Sequence, residues 1–103
     1  VALQMTFGLS GVPQAHVYPP TGKFIAVNQS YCELTGYTES ELLNLTFRDL
    51  THPLDRDLDW ELYQRYVNGE SSTFQTQKRY LRKDGEIRFV SVTAAMIRDD
   101  DNH

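Results

Sequence analysis

Cysteine is nearly missing from this chain of 103 residues. Cys32 stands alone, which excludes an intramolecular disulfide and a multi-cysteine metal site and suits a reducing compartment. A dominant charge is lacking too. Lys and Arg number 10 against 14 Asp and Glu, a formal net charge of −4. The two signs are interspersed until Asp99-Asp100-Asp101, so no basic face offers itself to nucleic acid or anionic lipid. No stretch approaches the ~20 apolar residues of a membrane helix, and Val1-Ala2-Leu3-Gln4-Met5 lacks the charged flank and long apolar run of a signal peptide. The signatures of catalysis are missing as well: no Gly-x-x-x-x-Gly-Lys loop, His-Glu-x-x-His pair, Cys-x-x-Cys pair or Gly-x-Ser-x-Gly elbow occurs. What is left fits one domain with one core, soluble and cytoplasmic, in a segment that reads as part of a longer protein.

Turning to what is present, Ala15-His16-Val17-Tyr18 and Phe24-Ile25-Ala26-Val27 read as strands around the turn Pro19-Pro20-Thr21-Gly22. Asn28 ends the second strand. Tyr31, Leu34 and Thr35 then share a face of a short helix stopped by Gly36. Thr38-Glu39-Ser40-Glu41 is a capping-box pattern opening a second helix. Thr51-His52-Pro53 starts the longest helix, expected to run to about Val67 and end at Asn68-Gly69. Its buried stripe is expected at Leu58, Leu62 and Tyr66 with Tyr63 beside them. Thr73 to Arg82 and Glu86 to Arg98 read as two long strands joined by a tight Lys83-Asp84-Gly85 turn. The fold class is α+β: an antiparallel sheet with short helices and one longer helix packed on one face.

Three phrases in this order, Val27-Asn28-Gln29-Ser30-Tyr31-Cys32-Glu33-Leu34-Thr35-Gly36-Tyr37, Leu50-Thr51-His52-Pro53-Leu54-Asp55 and Lys78-Arg79-Tyr80-Leu81-Arg82-Lys83-Asp84-Gly85, resemble the PAS domain family. Their combination covers nearly the whole chain, and the resemblance marks Asn28, Gly36, Tyr37, His52, Pro53, Asp55, Asp84 and Gly85 as fold signature. It divides the chain into a lead-in or linker at 1–14, a PAS-like domain at 15–99 and an acidic tail at 100–103. The family has five antiparallel strands, and this chain lacks the final one, which lies between the first and the fourth. Its absence would leave two unpaired strand edges in mid-sheet. Val1, Leu3, Met5 and Phe7 alternate with Ala2, Gln4 and Thr6, a pattern that would lay a strand there from the same or a partner chain; an N-terminal helix or linker is the alternative.

Each residue with chemical potential also has a plainer reading. Cys32 invites comparison with flavin-binding members that form a cysteinyl adduct, but it lacks their Asn-Cys-Arg-Phe-Leu-Gln-like phrase and reads as a packed thiol. His52 precedes the helix on which haem-binding members place their ligand, so it reads as structural, bonding to backbone or a carboxylate. His16 and His103 are too isolated for a metal site. Asp55, Asp57 and Asp59 point in different directions and read as favourable charges near a helix start, with Asp55 accepting from freed N–H groups. Arg79, Arg82 and Lys83 read as a solvated face.

The resemblance implies a sensory and interaction module that regulates an output domain of the same chain, in a signalling protein such as a histidine kinase or a cyclic-dinucleotide enzyme like diguanylate cyclase. This segment itself is expected to be no enzyme. A small cavity between sheet and helices would bind a small-molecule ligand, with Leu34, Leu50, Leu58, Leu62, Val90 and Val92 as its lining. No metal, haem or flavin is expected, and no nucleic-acid partner or membrane insertion. A homodimer is expected. A ligand-free dimerisation scaffold is the alternative, with Phe24, Tyr80 and Phe89 as surface candidates, and a haem- or flavin-bearing sensor comes third.

Overall fold

Inward-facing apolar residues at every second position build one sheet against one helical layer. The computed structural model describes residues 2–7 and 12–97. Val1, Gly8, Gly11, Arg98 and the acidic tail Asp99 to His103 lie outside the described residues. The elements are β1 (Ala2–Phe7), β2 (Gln14–Tyr18), β3 (Lys23–Val27), α1 (Gln29–Thr35), α2 (Glu39–Leu42), α3 (Phe47–Leu50), α4 (Pro53–Val67), β4 (Phe74–Leu81) and β5 (Ile87–Ile97). The sheet runs β3-β2-β1-β5-β4, antiparallel throughout.

The N-terminal strand occupies the centre. β1 pairs with β2, for example Met5 with Ala15, and with β5, Met5 opposite Ala94. The mid-sheet slot is thus filled by this chain's own alternating Ala2–Phe7 segment, and the sheet begins within the stretch read as a lead-in. Filling the slot satisfies backbone groups on both flanking strands that would otherwise be unpaired.

Local chemistry sets the helix ends. The Asn28 side chain accepts from Tyr31 N–H, and from Gln14 N–H at 2.9 Å, and donates to Val12 O at 2.8 Å, so one amide caps α1 and ties it to β2. Gly36 closes α1 at φ 79°, a left-handed conformation that costs a residue with a Cβ about 1–2 kcal/mol. Thr38 and Glu41 form the expected capping box, and Thr46 with Asp49 forms a second at α3. His52 caps α4, its Nδ1 accepting from Leu54 N–H, with Pro53 in the first turn. In the β2–β3 turn, Gly22 allows a close approach, because a Cβ there would lie 2.5 Å from the Phe47 ring.

Between the layers lie Phe24, Tyr31, Phe47, Tyr63, Phe74 and Tyr80. Ala15 and Val17 from β2, Phe74, Lys78 and Tyr80 from β4, and Val90, Val92 and Ala94 from β5 are also buried. Two expectations are corrected by this packing. Leu58 and Leu62 do not form the buried stripe of α4; they are 64% and 38% exposed, while Asp59 and Tyr63 are buried and Trp60, Tyr66 and Val67 pack on the core. The helix is rotated by its ties to the sheet and to Pro19, whose carbonyl receives the Tyr63 hydroxyl at 2.7 Å. Phe24 and Tyr80 face the interior, leaving Phe89, at 83% exposure, as the outward residue of that set.

Candidate functional site

The most unusual chemistry in the core joins α4 to β4. Lys78 follows Phe74 and Thr76 along the inward side of β4, and its Nζ lies 2.7 Å from Asp59 Oδ2 with both side chains almost fully buried. The ammonium also lies 4.8 Å from the centre of the Phe47 ring and 5.3 Å from that of Tyr80, where ring faces favour a cation. Burial pushes the Lys78 amine below its usual range, and the Asp59 charge opposes that effect. Beside it, the hydroxyls of Tyr80 and Tyr31 are 3.0 Å apart. Burial raises both phenols, keeping them neutral at ordinary pH. Asp59 Oδ1 is buried and has no hydrogen-bond partner among the described residues.

One turn earlier, Asp55 clamps the edge of the same strand. It accepts from Arg79 N–H at 2.9 Å and from the guanidinium at 2.7 and 3.0 Å. Those bonds hold its carboxyl at about 2, below the usual carboxylate range. Asp55 thus stabilises strand β4 and does not cap its own helix. Just beside it, His52 N–H donates to Arg79 O at 2.8 Å. Asp57 is exposed and 3.4 Å from Arg48, so the three aspartates do point apart, but Asp59 serves the core and not the helix start.

The basic run is also less solvated than expected. Arg79 and Arg82 are only 29% and 17% exposed. Arg82 donates to Glu33 O and Leu34 O at 2.7 and 2.8 Å, closing the carbonyl end of α1, and Lys83 pairs with Glu41 of α2. In the hairpin, Asp84 Oδ1 accepts from Glu86 N–H, and Gly85 has φ 88°. Tyr37 packs against the core.

Of the six expected cavity neighbours, Leu50, Val90 and Val92 are buried in the core and Leu34 packs on it. Leu58 and Leu62 instead line a cleft of about 80 Å³ between α4 and β4, together with Asp59, Thr76, Gln77 and Lys78. The core roles of Lys78, Asp59 and Trp60 escaped sequence reasoning, which read Asp59 as a charge near the helix start. The available signal was alternation, since Phe74, Lys78 and Tyr80 share a parity on β4. Nothing in this arrangement pairs a nucleophile with a base. Its chemistry is a buried charge pair whose geometry depends on how α4 sits against β4.

This fold, with helices and a charged core pair on one face of the sheet, is that of a small α+β domain. A family model described as the PAS fold matches residues 24–103, and the chain belongs to the PAS family. It is 30% identical over 80 residues to the probable diguanylate cyclase DgcE of Escherichia coli (strain K12), covering 78% of this chain and 7% of that protein. A solved PAS domain from a two-component sensor histidine kinase superposes with a TM-score of 0.54 at 20% identity, covering 91% of this chain and 82% of that one.

Proposed function

We propose that this PAS domain is a sensory and interaction module that biases an output unit in the same polypeptide, on the cytoplasmic side, in a signalling protein of the cyclic-dinucleotide or histidine-kinase kind. The observation that carries this reading is the buried Lys78–Asp59 pair between the long helix and the edge strand of the sheet. Two packings of α4 on β4 would differ in how well this pair is formed. A ligand or partner that binds them unequally shifts their populations and, through them, the output unit. Further support comes from the similarity to a short portion of a much longer cyclase-type protein. The reading involves no haem or flavin, and visible absorbance bands from the purified domain would replace it with a pigment-bearing sensor.

The test is the output rate of the parent polypeptide with residues 12–97 replaced by a flexible linker. A changed rate is expected, and an unchanged rate from a folded output unit overturns the reading. A second reading, a dimerisation scaffold, is favoured by one observation: Phe89 is 83% exposed beside an open depression of about 490 Å³. Sedimentation of the wild type and of Phe89→Ser separates the two, since a Phe89-dependent dimer supports the scaffold.

A further inference from the structure

We propose that the free edge of β4 is a self-association surface, where a second copy of this chain pairs antiparallel with the first about a two-fold axis at Thr76. Part of that edge is already covered. Arg79 N–H donates to Asp55 and Arg79 O accepts from His52, so the backbone groups of Arg79 point away from β5. Antiparallel pairing alternates this direction residue by residue, and β4 stays in unbroken register with β5 from Phe74 to Leu81. Gln75 and Gln77 therefore turn their N–H and C=O groups to the same edge, where these have no partner among the described residues.

The occupant follows from the length and symmetry of the open stretch. With Thr76 opposite Thr76, Gln75 of one copy faces Gln77 of the other, and each such pair exchanges both of its N–H···O=C bonds. The same two-fold sets Arg79 opposite Thr73, which lies just before β4 begins and whose carbonyl already receives the Ser71 hydroxyl at 2.8 Å. The incoming strand thus ends where the Asp55 clamp starts. A longer strand would run into Asp55, whereas a second copy matches the open stretch from end to end.

Charge complementarity permits the contact. Edges that stay single are commonly guarded by lysine, proline or a bulge, and Gln75-Thr76-Gln77 has none of them. Lys78 and Arg79, which follow it, are paired within their own chain to Asp59 and Asp55, so two chains of net charge −4 meet here without like charges opposed on the strand. Beside the edge, Leu54, Leu58 and Leu62 are 78%, 64% and 38% exposed and line the cleft that Thr76 and Gln77 border. A copy docked here covers that apolar row. The surface does not include Phe89, and the pairing stands apart from the sensory reading.

The experiment is sedimentation equilibrium of the full chain up to millimolar concentration, with NMR of the backbone amides over the same range. A monomer–dimer equilibrium is expected, unchanged by Phe89→Ser, with concentration-dependent shifts centred on the Gln75 and Gln77 amides. Gln75→Lys/Gln77→Lys and Gln75→Glu/Gln77→Glu alter two exposed positions and each set like charges opposite one another across the two-fold. Each should weaken self-association about tenfold, and the two mixed should associate at least as tightly as the wild type. A monomer at millimolar concentration, which leaves the edge to another occupant such as an extended segment of the output unit, overturns the proposal. So does a dimer indifferent to the paired lysines, a dimer abolished by Phe89→Ser, or a mixture that associates no more tightly than its components.

Discussion

Replacing Lys78 by methionine leaves a chain of similar volume and removes the only donor to Asp59 among the described side chains. The pair is 2.7 Å apart with side chains 2% and 3% exposed, so solvent cannot take over the lost contact. Breaking a buried pair from one side costs about 3–5 kcal/mol, because the remaining charge stays buried and unmatched. A domain of this size has about 5–15 kcal/mol in all, so the single variant should be near the edge of folding. The double variant Asp59→Leu/Lys78→Met removes both charges and should recover most of the loss, matching or exceeding the wild type. Urea unfolding can be followed through Trp60, the chain's single tryptophan, which stacks on Tyr63 with ring centres 5.1 Å apart. With a slope of about 1–3 kcal/mol per molar urea, the single variant's midpoint should fall by roughly 1–5 M or vanish. A loss below about 1 kcal/mol, as for an exposed pair, or a double variant no more stable than the single one, would refute the reasoning.

Three further outcomes are expected. The Asp55 carboxyl is depressed to about 2, so its contribution to stability is complete above about pH 4 and is lost as the pH falls toward 2; Asp55→Asn should flatten that limb of an acid-unfolding curve followed by circular dichroism. Asn28→Ala removes a cap that also holds Gln14 and Val12, and should cost about 1–2 kcal/mol or slightly more in urea unfolding. Gly36→Ala forces a Cβ into φ 79° at 3.2 Å from the Arg82 guanidinium, and should cost about 1–2 kcal/mol in the same assay.

What was legible in the sequence was mostly local. The helix-end roles of Asn28, Gly36, the Thr38–Glu41 box and His52-Pro53 are played within a few residues, so their types and spacings carry the signal. The period-two pattern of Val1 to Phe7 also marked a strand whose place in mid-sheet followed from the unpaired edges it would fill. The rotation of α4 was not legible. Its leucines at 54, 58 and 62 form the stronger apolar row, yet Asp59 and Tyr63 turn inward because their partners, Lys78 and Pro19, come from distant parts of the chain. For the same reason Arg79 and Arg82, read with Lys83 as a solvated face, are half-buried through bonds to Asp55 and to the carbonyl end of α1. Three of the expected cavity residues belong to the core and Leu34 packs on it, whereas the polar centre of the candidate site was hidden by a long-range pairing.

The central claim is that the packing of α4 on β4 biases an output unit, and it is tested most directly in the parent polypeptide carrying Asp59→Leu/Lys78→Met. The domain is expected to stay folded in that variant, and the charge pair proposed to distinguish two packings is gone. The account predicts an output rate changed severalfold, with about 1.4 kcal/mol of altered coupling giving a factor of ten. An output rate identical to wild type, with the domain folded, would contradict it.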